Sequence, residues 1–119
     1  MVKPDLVSAR RHPAGFLEAR AGLGTGRHGE ILADFLQSDV QGDLATAQAL
    51  LAEVEAAQRD ETPQPGGVGN AYSITIAPDG AVIRNAVLEG ALPEHFSLGE
   101  VRVAIEMWIT AIERALGHL

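Results

Sequence analysis

The stretch 71–116, AYSITIAPDGAVIRNAVLEGALPEHFSLGEVRVAIEMWITAIERAL, decides the fold. Tyr72, Ile74 and Ile76 alternate with Ser73, Thr75 and Ala77, the period of a strand with one face buried. Pro78 sets the backbone angle of a turn and Gly80 supplies a conformation that other residues avoid, so the chain reverses here. A second strand, roughly Ala81 to Val87, is expected to run back beside the first.

A helix follows. Ser97 stands as its cap, with Glu100 three residues later completing a capping box. Val101, Ile105, Trp108, Ile109, Ile112 and Leu116 recur at helical spacing and make a broad apolar stripe. A hairpin alone is marginal in water, so this stripe is the natural cover for one sheet face. Tyr72, Ile74, Val101, Ile105, Trp108 and Ile112 are the expected core.

Working back toward the N-terminus, the segment 60–69, DETPQPGGVG, carries two prolines and three glycines in ten residues and breaks regular structure. It reads as a connection inside one domain spanning 1–119, since neither side holds enough apolar residues to fold comfortably alone. Before it, Asp43 can cap a helix whose apolar face is Leu44, Ala47, Leu50, Leu51, Val54 and Ala57. A shorter helix is marked by Ile31, Leu32, Phe35, Leu36 and Val40 and closes near Gly42. Gly15 to Ala21 fits a strand, with Leu17, Ala19 and Ala21 on one side, although its residues are also good helix formers. Met1 to Val7 has little pattern and reads as a frayed end. The expected fold is α+β, a small antiparallel sheet covered by three helices in the order β-α-α-β-β-α, with the 15–21 strand as a third strand that helps the hairpin form a stable sheet.

The 119 residues include no cysteine, which excludes disulfides, thiolate metal sites and cysteine nucleophiles. No apolar run is long enough to span a bilayer and no secretory segment opens the chain, so a cytoplasmic protein is expected. The net charge is -7, and it is uneven. Residues 1–30 carry five Lys/Arg and three Asp/Glu, whereas the rest carries four basic and thirteen acidic residues. Such a surface repels nucleic acid and anionic membranes and suits a basic protein partner.

Motifs for chemistry are weak. Gly24, Gly26 and Gly29 in GLGTGRHGE match G-x-G-x-x-G literally, but no βαβ unit surrounds them and the P-loop ending is missing, so no cofactor is expected. His28 with Glu30 or Asp34 is the one histidine–carboxylate pairing near a helix start, and no H-E-x-x-H or H-x-H motif supplies further metal ligands. His12 precedes a proline, His95 reads as a loop residue and His118 lies near the end of the sequence. Glu18, Glu89, Glu94 and Glu100 are carboxylates without an evident acid–base partner. Ser73 and Ser97 lack a nucleophile elbow. The chain is read as non-enzymatic.

The segments RRHPAGFLEARAGLGTGRHGEILADFL, QSDVQGD and YSITIAPDGAVIRNA together resemble the small bacterial YacL-like family over roughly Arg10 to Leu116. Departures fall at Gly26-Arg27-His28 and in the Pro/Gly break. The resemblance implies an immunity protein of contact-dependent growth inhibition or a related polymorphic toxin system, binding a cognate toxin without catalysis. If that toxin is a nuclease, its cleft is basic and an acidic inhibitor matches it. Candidate contact residues are Asp34, Asp39, Asp43, Glu53, Asp60 and Glu61, on or beside the two central helices. The competing reading is a cytoplasmic interaction protein or homodimer of another pathway, with a small enzyme third.

Overall fold

The computed structural model describes residues 6–61 and 71–117. In chain order the elements are β1 (Val7–Arg11), β2 (Leu17–Ala21), α1 (Gly26–Phe35) continued by a π-helical turn (Leu36–Val40), α2 (Leu44–Gln58), β3 (Tyr72–Ala77), β4 (Gly80–Asn85), β5 (Glu94–Phe96) and α3 (Leu98–Ala115). The fold is α+β, with antiparallel strands and three helices in roughly the expected order.

The hairpin forms as its alternation predicts, although its second strand ends at Asn85, short of the expected Val87. Ile74 faces Ile83 and Thr75 faces Val82 across β3 and β4, and Ala77 pairs with Gly80 at the turn. Gly80 has φ +148°, and a Cβ there would sit 2.9 Å from the Phe96 carbonyl oxygen, so both conformation and space require glycine. Tyr72, Ile74, Ile76, Ala81 and Ile83 turn inward and are buried. The buried α3 residues Val101, Ala104, Ile105, Trp108 and Ile112 belong to the same core. The capping box is complete, with Ser97 Oγ accepting from the Glu100 N–H at 3.0 Å and Glu100 Oε1 accepting from the Ser97 N–H at 2.9 Å. Trp108 is fully buried, and its indole N–H donates to the Gln41 carbonyl at 2.7 Å, so the core satisfies its one polar atom. Leu116, expected in the stripe, follows the end of the helix and is exposed.

Two features of the sheets differ from expectation. The third strand beside the hairpin is β5, not β2: Ala81 pairs with Phe96 and Ile83 with Glu94. A three-residue strand is too short to leave an alternation in sequence, and for the same reason His95 is a strand residue where a loop was expected. β2 pairs instead with β1, which was read in part as a frayed end. Their connection closes locally, His12 N–H donating to the Phe16 carbonyl at 2.8 Å, so these strands pair with each other rather than with the distant hairpin. Val7 is buried, while Arg10 and Arg11 face solvent, which hides the strand's one-sided pattern.

The first helix starts at Gly26, earlier than its apolar residues suggest. At its C-terminal end the Gln41 N–H bonds to the Leu36 carbonyl at 2.8 Å, the i→i−5 spacing of a π turn. The Ser38 hydroxyl donates to the Asp34 carbonyl at 2.7 Å and competes for a carbonyl that would otherwise serve the helical ladder. α2 begins at Asp43, whose carboxylate accepts from the Ala45 and Thr46 N–H groups. It lies against α3, where Arg102 bonds Gln58 at 2.7 Å and Glu55 at 3.2 Å. Of the proline–glycine break, residues 62–69 fall outside the described residues.

Candidate functional site

The residues before α1 rise from β2 through a turn in which the Thr25 N–H and hydroxyl both donate to the Gly22 carbonyl. This delivers Arg27 and His28, on the first turn of α1, to the start of β5 and the start of α3. Arg27 forms an ion pair with Glu94, and its other guanidinium nitrogen donates to the Leu92 carbonyl at 2.6 Å. His28 lies between two carboxylates: Nδ1 is 2.8 Å from Glu94 Oε2, and Nε2 is 3.1 Å from Glu100 Oε2. Its ring stacks on Phe96 with centroids 4.2 Å apart.

A carboxylate at each ring nitrogen selects the doubly protonated imidazole, because only that form donates from both. Partial burial disfavours the charge, but the hydrogen bonds to Glu94 and Glu100, with their charges, outweigh it and raise the His28 pKa above 6.5. For Glu100 burial acts upward, and the Ser97 N–H with the His28 ring acts downward; the net effect lowers its pKa from 4.5. A histidine engaged on both nitrogens has no lone pair for base catalysis. The Ser97 hydroxyl is part of the helix cap. The cluster is therefore a clasp joining α1, β5 and α3, rather than a nucleophile–base pair.

The clasp secures one end of the 86–93 loop. The other end is held by Asn85, whose side-chain oxygen accepts from the Val87 and Leu88 N–H groups at 2.9 Å each. Between them the Ala91 N–H donates to the Leu88 carbonyl at 3.2 Å. The loop is thus hydrogen-bonded along its length, yet Val87, Leu88 and Leu92 are 75%, 64% and 71% exposed. Leu23, on the turn that leads into α1, is 97% exposed.

A separate open cleft of about 430 Å³ lies between α1, β2 and β3, with Ala19, Ile31, Glu30 and Tyr72 among its walls. The Tyr72 hydroxyl donates to Asp34, and burial followed by this carboxylate pushes the tyrosine pKa up to about 12.

The six acidic residues proposed from sequence are variously engaged. Asp34 and Asp39 meet on Tyr72: the first accepts its hydroxyl, and the second accepts its N–H at 3.0 Å and that of Ala71 at 3.1 Å. Asp43 caps α2, and the Thr46 hydroxyl and N–H with the Ala45 N–H hold its carboxyl below the usual range. Glu53 is half-buried, which raises its pKa. Asp60 is exposed at φ +60° just beyond α2, and Glu61 pairs with Arg59 at 2.8 Å. The sequence reading set His28 beside Glu30 or Asp34; its hydrogen-bonded carboxylates are Glu94 and Glu100. Arg27, Leu88 and Leu92 carry no local pattern of their own, and Val87, expected as the end of the second hairpin strand, lies in the loop beyond Asn85.

The glycines of GLGTGRHGE have local structural reasons. Gly24 and Gly26 adopt positive φ at the helix entry, and a Cβ on Gly29 would lie 2.9 Å from the Leu6 carbonyl oxygen. Among the described residues, no group of three or more His, Asp or Glu is arranged to hold a metal ion, and no helix is long and apolar enough to cross a membrane. No protein-family model, curated protein or solved structure matches this chain.

Proposed function

We propose that this chain is a non-enzymatic cytoplasmic interaction domain whose protein partner docks on the 86–93 loop. The observation that carries this reading is the loop itself: an ordered segment, hydrogen-bonded at both ends, that points Val87, Leu88 and Leu92 at solvent. Single exposed apolar residues are ordinary, but three on one hydrogen-bonded loop offer a partner apolar area to bury. Preorganisation lowers the ordering cost of binding. The charge of -7, with Glu89 in the loop, favours a partner with a basic rim around an apolar patch.

A toxin with a basic cleft fits that description, and toxin immunity is the narrower form of the proposal, supported by the acidic charge and the sequence resemblance. A second copy of the chain is the other occupant of the same surface.

The test compares the wild type with Leu88→Ser/Leu92→Ser. Fully burying two leucines in an interface contributes roughly 3–6 kcal/mol, so the double variant should bind more than about 100-fold more weakly. Co-expression with any toxin reading frame found adjacent to this gene, with pull-down and growth rescue, examines the narrower form; sedimentation velocity examines self-association. A partner or dimer held equally well by the double variant would refute docking on this loop.

A further inference from the structure

We propose that the His28 clasp is a pH-sensitive latch on the 86–93 loop, closed while the imidazole is protonated and loosened when it is neutral. The geometry carries the inference. The ring joins three elements, α1 through its own backbone, β5 through Glu94 and α3 through Glu100, at 2.8 and 3.1 Å. Charged groups around it are Arg27 from α1, Glu94 from β5 and Glu100 from α3, while β5 also supplies the uncharged Phe96 ring. With His28 protonated, two cations face two carboxylates and the cluster is neutral. Loss of the proton leaves one cation for two carboxylates, and a neutral imidazole has one N–H, so one carboxylate then faces a lone pair.

Glu94 is the residue at which the loop enters β5, and Arg27 holds both Glu94 and the Leu92 carbonyl. Weakening the ring's hold on Glu94 therefore acts on the loop end that bears Leu92. The direction follows from linkage: a group with a raised pKa in the closed state stabilises it fully below its ordinary value and loses that contribution as pH rises through the raised value. For His28 the window opens at 6.5 and extends upward. On the acid side, Glu100, whose pKa is lowered, contributes above 4.5 and ceases to as pH falls through its lowered value. The latch is tightest between these two limits and relaxes as pH rises above 6.5. Its role in gating the partner rests on the docking surface proposed above, but the latch itself is a property of the isolated chain.

NMR of the isolated full chain tests it without any partner, so failure here is distinct from failure of the binding assay. The His28 ring is titrated by its carbon and nitrogen shifts, and amide-exchange protection factors for the loop amides of 86–92 are measured across the same range. The expected result is a His28 midpoint above 6.5 and loop protection that declines as pH passes from 6.5 through that midpoint. In His28→Gln, which cannot titrate, the decline should vanish. Glu100→Gln retains an oxygen for the helix cap but removes one charge from the ring, so it should lower the His28 midpoint and narrow the window. Loop protection that stays constant while His28 titrates, or a decline that persists in His28→Gln, overturns the proposal; should that variant fail to fold, an unchanged midpoint in Glu100→Gln does so alone.

Discussion

Replacing Asp39 with alanine separates a structural carboxylate from a surface charge. Asp39 sits in the π turn after α1, and its oxygens accept the N–H groups of Ala71 and Tyr72 at 3.1 and 3.0 Å. Tyr72 is buried and Ala71 half-buried, so these donors have little water to replace the lost acceptor. A hydrogen bond to a charged group contributes roughly 1.5–3 kcal/mol, and two of them, discounted for the partial exposure of the site, give about 2–4 kcal/mol for Asp39→Ala. Asp39→Asn keeps one acceptor oxygen and should cost about 1 kcal/mol. Urea denaturation followed by circular dichroism measures this: with a slope of about 2 kcal/mol per molar, the alanine variant's midpoint should fall by about 1–2 M. A loss below about 0.5 kcal/mol, the range of an ordinary surface substitution, would refute the claim that Asp39 ties the start of β3 to the helical layer. The result also governs how binding data are read, because a charge reversal at Asp39 that weakens partner binding would do so partly through stability.

Ile105→Ala should cost about 2–5 kcal/mol, since Ile105 is fully buried among α3 core residues; a loss under about 0.5 kcal/mol by the same denaturation assay contradicts that placement. The Gly-rich entry to α1 is expected to bind no nucleotide, its glycines being explained by turn geometry and the approach of Gly29 to Leu6. Isothermal titration with ATP, GTP and NAD should give no saturable heat; saturable binding abolished by replacing Gly24 and Gly26 would reverse that reading.

The clasp was illegible in sequence because its partners lie 66 and 72 residues apart: no local spacing joins His28 to Glu94 or Glu100. Glu94 and Glu100 stand out in the sequence as carboxylates, and Glu100 as the capping-box residue, but nothing local points either of them at His28. The acidic residues proposed as contacts were chosen because helical periodicity left them outside the apolar faces. That criterion does not see backbone donors arriving from elsewhere in the chain, and so it did not separate Asp39 and Asp43, which hold backbone N–H groups, from Asp60, which does not carry such a bond among the described contacts.

What the sequence determined by itself was local. Strand alternation in 72–77, the Pro78–Gly80 reversal, the Ser97 and Asp43 caps and the α3 stripe each rest on interactions within a few residues, and they appear where the pattern places them, except that Leu116 falls beyond the helix. Tertiary structure decided the pairings. β5 joined the hairpin because Phe96 could enter the core beside Ala81, and β2 turned to β1 because a short closed loop brought them together. Tertiary structure also set the burial of Trp108 over the carbonyl of Gln41 and the meeting of Arg27, His28, Glu94 and Glu100. Periodicity specifies which face of an element is apolar, but long-range packing selects which distant residue meets it, and each such contact depends on several elements being in place at once.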